Sequence, residues 1–300
     1  MHSDEKDLTE SGFDETGKVS LDHIYTQPDP RAYFTTLRRL DYAIPELARP
    51  FFGQLADEFR TRAGRPPVIL DVGCSYGVNA ALLRGDLSMA DMYDRYAEPA
   101  AHVLDHTALV TRDRALMATH RGPATPRFVG LDSSRPAVSY GLAAGFLDDA
   151  VCADLEERDP TEPERALLGE ADLVVSTGCI GYIGAPTIGR IARAADADRR
   201  PWMAHFVLRM FPFTPIAEEL ADLGYETEHV DGVFPQRRFA SAQEHEQVLD
   251  TLATVGVDPR GLEAEGWLYA ELYLSRPRAA ATRASRGQTQ ATRTGATVTR

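Results

Sequence analysis

The stretch Val68-Ile69-Leu70-Asp71-Val72-Gly73-Cys74-Ser75-Tyr76-Gly77-Val78-Asn79 decides how the chain is read. Three apolar residues run into an acid and a glycine-bounded turn, and a helical pattern follows from Val78 to Leu83. A strand, turn and helix in this order bring backbone close to a ligand. Gly73 and Gly77 carry no Cβ to clash, and the helix start presents N–H groups and the positive end of its dipole. Such a turn serves a dinucleotide pyrophosphate or an amino-acid carboxylate. The third glycine of the GxGxxG fingerprint is missing, which disfavours a nicotinamide site.

Outward from this turn, short β-rich runs alternate with helical patterns, which predicts an α/β fold with a mostly parallel sheet. Val68 to Asp71, Phe128 to Asp132, Ala150 to Ala153, Leu173 to Ser176 and Met203 to Leu208 read as buried strands. Helices are expected at Val78 to Leu83, Pro136 to Ala144, Thr187 to Ala195 and Pro215 to Leu223, the last with Thr214 as its N-cap. The alternating stretch Trp267 to Leu274 reads as an antiparallel edge strand. Residues 21–62 carry Tyr25, Tyr33, Phe34, Tyr42, Phe51 and Phe52 in a mostly helical pattern, and residues 85–126 form a second extra segment. Both are expected over the C-terminal edge of the sheet, where open α/β sheets bind ligands, as an N-terminal helical lid and an insertion walling the substrate. Peripheral helices or a homodimer contact are the alternative.

Composition bounds the partners. The formal charge of -13 opposes attraction to nucleic acid or anionic lipid, so a small-molecule substrate is expected. No apolar run is long enough to span a membrane and the N-terminus has no apolar leader core. Cys74, Cys152 and Cys179 are far apart, odd in number and without zinc-ligand spacing, which fits reduced thiols, a cytoplasmic location and no metal site. Residues 1–20 are acidic and residues 276–300 hold six arginines without an acid. Neither offers enough apolar surface to offset ordering entropy, so both are expected to be disordered tails flanking the α/β domain of residues 63–275.

The turn at Asp71 resembles motif I of the class I S-adenosylmethionine (SAM) dependent methyltransferases, an acid followed by a glycine-rich DxGxGxG-type loop, with Ser75 in place of the middle glycine. The resemblance covers residues 66–210. It implies a Rossmann-like fold: a mostly parallel seven-stranded sheet with helices on both faces, extra N-terminal helices and a helical insertion after the first βα unit. By that resemblance Asp71 helps hold the methionine amino end, Gly73, Cys74 and Ser75 border it, and Gly77 starts the helix. Phe128-Val129-Gly130-Leu131-Asp132-Ser133-Ser134 is the second matching stretch, an apolar strand ending in an acid able to accept both vicinal ribose hydroxyls. Asp132 follows Asp71 by 61 positions, and the extra segment accounts for the long gap. Asp132 and Ser133 are therefore candidate cofactor contacts, although a strand-terminal Asp is also a common helix N-cap. In Ala150-Val151-Cys152-Ala153-Asp154-Leu155-Glu156, Asp154 is the candidate for the adenine amino group and the Leu155 backbone for the ring. The other reading of Asp154 is an exposed loop acid.

Asp172-Leu173-Val174-Val175-Ser176-Thr177-Gly178-Cys179-Ile180-Gly181-Tyr182 is a strand running into a glycine-rich loop that should face the reacting sulphonium. It lacks the [DN]PP[YFW] pattern of nitrogen-directed family members, so nucleobase methylation is not supported. Thr177 borders the cofactor there, and Tyr182 offers either a ring face to the cation or an ordinary half-buried tyrosine. Cys179 reads as an inert small hydrophobe, His205 as a core histidine, and His102, His106 and His120 as candidate bases. Methyl transfer is an in-line displacement that needs alignment more than a base. The default expectation is thus a SAM-dependent transferase methylating a small molecule. A weaker similarity of Cys74-Ser75-Tyr76-Gly77-Val78-Asn79 to azetidine-2-carboxylate synthases raises a second reaction, in which SAM cyclises and releases methylthioadenosine. Tyr76 and Asn79 would then hold the amino-acid moiety folded. A non-catalytic partner protein of the same fold is the third reading.

Overall fold

The computed structural model describes residues 21–120 and 122–278. The expected acidic tail and residues 279–300 of the expected basic tail lie outside the described residues. Arg276 and Pro277, grouped with that tail by composition, end the last strand instead.

The described elements follow one another as α1 (Asp22–Tyr25), α2 (Arg31–Arg39), α3 (Ile44–Ala63), β1 (Val68–Val72), α4 (Val78–Gly85), α5 (Met89–Ala97), α6 (Pro99–Val103), α7 (His106–Ala118) and β2 (Arg127–Asp132). They continue with α8 (Arg135–Ala143), β3 (Asp149–Cys152), α9 (Glu162–Leu168), β4 (Leu173–Thr177), α10 (Ala185–Ala194), β5 (Trp202–Leu208), α11 (Thr214–Asp222), β6 (Tyr225–Arg238), α12 (Ala242–Thr254) and β7 (Trp267–Pro277). The seven strands form one sheet in the order β3-β2-β1-β4-β5-β7-β6. β1 to β5 are mutually parallel, and β7 runs antiparallel to both β5 and β6.

The parallel strands are near-continuous apolar runs because helices cover both of their faces. On one face Ile69, Phe128, Val175 and Phe206 meet Phe52 and Leu55 of α3, Ala80 of α4 and Val138 of α8. On the other, Leu70, Val72, Val129 and Val174 meet Leu168 of α9, Ile188 and Ile191 of α10, and Ile216 and Leu220 of α11. The fold is therefore the Rossmann-like α/β arrangement expected from the resemblance, with extra N-terminal helices and a helical insertion between α4 and β2.

Four details differ from the sequence reading. β7 is antiparallel as expected but sits inside the sheet, because β6 pairs along its outer side. β6 is hard to read: Glu226, Glu228 and Asp231 place charges along an edge, Gly232 and Pro235 interrupt it, and the pairing shifts register between Val230 and Phe234 and between Pro235 and Arg237. Charges, bulges and proline protect an edge strand from further pairing and hide it from pattern reading. Helix α11 begins at Thr214 itself, with Phe213 before it and no side-chain cap. Finally, α3 lies on a sheet face, so the helical residues over the C-terminal edge are those of the segment before it.

Those residues join the insertion in a separate cluster. Ile24, Tyr33, Phe34 and Leu37 pack with Met89, Met92 and Tyr96 of α5, Leu109 and Met117 of α7, and Tyr76, Leu82 and Tyr140 from the α/β core. The Phe34 and Tyr96 rings stack at 4.5 Å. At the centre, Asp113 is fully buried and accepts the Tyr96 and Tyr140 hydroxyls at 2.5 Å each and Arg95 Nε at 2.8 Å. A buried carboxylate is tolerable only when so compensated.

Candidate functional site

From β1 the chain moves to β2 and β3 on one side, and from β4 to β5 on the other. The reversal lies between β1 and β4, and in open α/β sheets the crevice beyond the C-terminal strand ends at such a switch point takes the ligand. Asp71, Val72 and Gly73 reach it from β1, and Ser176, Thr177 and Gly178 from β4.

The turn after β1 needs its glycines. Gly73 has φ +67°, and a Cβ there would stand 2.6 Å from Cys179 Cβ, so the β1 and β4 loops touch at this point. Gly77, at φ +83°, is the left-handed residue that starts α4. Ser75 adopts φ +49° without being glycine, a strained conformation of the kind concentrated at functional sites.

Asp71 is fully buried. Its Oδ1 accepts Asn79 Nδ2 at 2.9 Å, and the same amide nitrogen lies 3.1 Å from Thr177 Oγ1. Its Oδ2 has no partner. Burial pushes the carboxyl up to about 7, against the Asn79 hydrogen bond, and the nearby Asp132 charge adds to the rise. The site thus brings together three residues singled out in the sequence, Asp71, Asn79 and Thr177, around one unsatisfied acceptor.

Asp132 joins the β1 turn to the β2 end: Oδ2 accepts Ser75 N–H and Oδ1 accepts Ser134 N–H, both at 2.8 Å. Burial raises its pKa while these backbone donors oppose the rise. Capping of α8 falls to Ser134, whose side chain accepts from Ala137 N–H, so the N-cap reading of Asp132 does not hold. Ser133 is exposed and its carbonyl accepts the Cys152 thiol at 3.7 Å. Asp154 is exposed and turns back on Glu156 N–H at 2.9 Å, while Leu155 is a core residue. Glu156 caps the start of α10 through Gly184 and Thr187.

Tyr76 departs from its expected role. Its ring is fully buried and its hydroxyl lies 2.9 Å from the carbonyls of both Ile24 and Gln27, so it holds the N-terminal segment rather than facing the crevice. Tyr182 is 50% exposed after Gly181 in the β4 loop. Cys74 is buried with its thiol pushed well up by burial, and burial raises Cys179 to about 12, so neither is poised as a nucleophile. His205 is a core histidine: fully buried, 2.8 Å from Ser176 Oγ, and pulled down to about 4 by burial. His106 packs on Tyr140 and His120 bonds the Leu116 carbonyl, contacts internal to the insertion and its neighbour α8, and His102 is exposed on α6.

Sequence reasoning flagged the tyrosines of residues 21–62 only as a group. Here Tyr33 packs edge-on to Tyr42 at 6.5 Å, to Tyr25 at 5.7 Å and to Tyr76 at 5.8 Å. Gln236 had no sequence signal. It is buried at the end of β6, its amide nitrogen occupies the place of a Gly178 Cβ, and its Oε1 has no partner. Its carbonyl accepts Ala43 N–H at 2.9 Å, which fixes the residue next to Tyr42.

A cavity of about 500 Å³ walled by Phe213, His229, Glu271 and Tyr273 opens between α11 and the paired strands β6 and β7, and none of the site residues named above lines it. Among the described residues no group of His, Cys, Asp and Glu converges as a metal-holding cluster, and no helix is long and apolar enough to cross a membrane.

No family model and no curated protein matches the chain. Among solved structures it is similar to a TehB-like SAM-dependent methyltransferase from Corynebacterium glutamicum, at 16% identity over 75% of this chain and 98% of that one, with TM-score 0.35. It is also similar to the plantazolicin methyltransferase BpumL in complex with a triazolic desmethylPZN analog and SAH, at 12% identity over 93% of this chain and 100% of that one, with TM-score 0.39. Against EvdMO1 it spans only 41% of that chain, covering 75% of its own length at 12% identity, with TM-score 0.38. At such identities and scores the chemistry of this chain is read from its own residues.

Proposed function

We propose that the chain is a SAM-dependent enzyme acting on a small molecule, with transfer of the methyl group to a small-molecule acceptor as its reaction. The observation that carries this reading is Asp71: a fully buried carboxylate at the switch point whose Oδ2 has no partner. Leaving such an oxygen unsatisfied costs about 1–3 kcal/mol or more, so the site is built for a charged donor such as an ammonium group. The ends of β1, β2 and β3 each carry an acid, Asp71, Asp132 and Asp154, in the order in which the strands leave the switch point. An elongated ligand with an amine at one end, a diol in the middle and an aromatic amine at the other suits that row, and SAM has this layout. Asp71, the Gly73 to Gly77 turn and Thr177 would hold the amino-acid end, Asp132 and Ser133 the ribose, and Asp154 and Leu155 the adenine. When bound, SAM supplies an activated carbon on a sulphonium. The chain's residues orient it, and Tyr33 and Tyr42 exclude water above it. The three cysteines are unpaired, in keeping with a reducing, cytoplasmic compartment.

One observation favours cyclisation as a second reading. A buried carboxyl raised to about 7 is well matched to take a proton from a neighbouring ammonium near neutral pH. The freed amine then forms a C–N bond with its own γ-carbon as the C–S bond breaks, and the proton stays on Asp71. Mass spectrometry of SAM incubated with the protein decides between the two. Methylthioadenosine without an acceptor supports cyclisation, and SAH formed only with an acceptor supports methyl transfer. Absence of SAM and SAH binding by calorimetry, with Asp71→Ala indistinguishable from wild type, overturns both.

A further inference from the structure

The amino-acid end of the candidate site is closed: Asp71, Ser75, Tyr76 and Asn79 are all buried, and the Tyr76 hydroxyl meets Ile24 and Gln27 of the N-terminal segment, whereas Ser133 and Asp154 are exposed. Entry at the buried end passes the segment that Tyr76 holds, and the hydrogen bonds show which part of it can move. Downstream, the segment is held firmly. Arg31 pairs with both oxygens of Asp29 and donates to the carbonyls of Ala101 and Leu104 in the insertion. Beyond it, Phe34 and Leu37 of α2 are buried against α5, and the backbones of Leu40 and Ala43 pair with Arg238 and Gln236 of β6.

Upstream of Asp29, Leu21 and Ile24 remain buried in the same cluster, but the polar fastening has a different character. Residues 24–27 are tied to the site by side chains reaching backbone carbonyls: Tyr76 Oη at 2.9 Å from Ile24 O and 2.9 Å from Gln27 O, and Ser134 Oγ to Tyr25 O at 2.6 Å. Tyr76 belongs to the β1 turn and Ser134 to the turn after β2. Asp132 clamps these two turns together by accepting Ser75 N–H and Ser134 N–H. Both hydroxyls that close the segment thus stand on the backbone that the ligand would contact.

We propose that residues 21–28 are a gate over the SAM site, latched by the hydroxyls of Tyr76 and Ser134 and pivoting at the Asp29–Arg31 post. The assignment of a ligand to this site rests on the reading above; the latch itself rests on the hydrogen bonds. Tyr76 is then a positioning residue that couples the cofactor turn to the gate. A ligand that orders the 73–77 and 132–134 turns strengthens the closed state, and by linkage the closed gate strengthens ligand binding by the same factor.

The test uses chymotryptic cleavage after Tyr25 in the full chain, with cleavage after Phe51 in α3 as the internal control. Losing both latches in Tyr76→Phe/Ser134→Ala should speed cleavage after Tyr25 about tenfold while cleavage after Phe51 is unchanged. Ser134→Ala alone should give about threefold, and Ser134→Thr, which keeps a hydroxyl, should restore the wild-type rate. SAH should slow the Tyr25 cut in wild type and dissociate about tenfold faster from the double variant. Unchanged Tyr25 cleavage in the ligand-free Ser134→Ala and double variants overturns the latch. SAH that binds without slowing the cut overturns the coupling. If SAH fails to bind wild type, the SAM reading falls, and the ligand-free rates still decide the latch. Should the double variant lose its fold, shown by equal acceleration at Phe51, the Ser134→Ala and Ser134→Thr pair decides.

Discussion

At the scale of single residues, Asp71 and His205 place opposite pH demands on the fold. Asp71 titrates near 7 when folded against an ordinary 3.8, so through that interval the folded chain keeps a proton that the unfolded chain sheds. Its contribution is fully present below 3.8 and is lost as pH rises towards 7. His205, lowered to about 4 from 6.5, stays neutral while the unfolded chain binds a proton, so its contribution is present above 6.5 and lost as pH falls. Between about 4 and 6.5 the two slopes oppose each other. Asp71→Asn should therefore expose the acid loss due to His205 and should gain on wild type by on the order of 2 kcal/mol between pH 5 and pH 8, read from denaturant titrations at each pH. The candidacy of Asp71 was legible because strand, acid and glycine turn are contiguous. Its unsatisfied oxygen was not, because that depends on Asn79 and Thr177 each arriving from a different element.

At the scale of elements, two glycines make opposite predictions. Gly73→Ala puts a methyl 2.6 Å from Cys179 Cβ at a positive φ, with backbone on both sides fixed by the sheet. It should cost about 1–3 kcal/mol in a urea titration and weaken SAH binding, because the β1 and β4 loops must separate. Gly53, inside α3, has nothing within 4 Å of its would-be Cβ. Gly53→Ala should stabilise by about 0.5–1 kcal/mol without affecting the site, by reducing the freedom of the unfolded helix. The parallel strands were readable because burial on both faces makes them continuous apolar runs. β6 was not, since half its residues answer to solvent and its glycine and proline serve an edge. Tyr76 shows the same limit at the site: the turn was recognised, but its hydroxyl answers to residues 24 and 27, about 50 positions upstream.

At the scale of the whole molecule, helix α2, the insertion and the α/β core share buried contacts through Tyr76, Leu82 and Tyr140, so they should unfold together. Asp113→Ala tests this. It strands Arg95, Arg112 and the Tyr96 hydroxyl in the insertion and the Tyr140 hydroxyl on α8, and should cost about 3–5 kcal/mol. Far-UV helical signal, to which α5 and α7 of the insertion contribute, and tryptophan fluorescence from Trp202 and Trp267 in the sheet should then shift to lower urea by the same amount; a transition confined to the helical signal would show the insertion to be a separate unit. By itself the sequence determined the α/β class, the parallel core strands, the glycine turn after β1 and the succession of acids at the strand ends. These are local or periodic features, written within a few residues of one another. Only the tertiary structure decided that β7 lies inside the sheet, that Asp71 keeps an unpaired oxygen, and that Tyr76 latches a gate. Each of those depends on which distant segment fills the adjacent space, and side-chain packing across long sequence separations leaves no periodic trace in the chain.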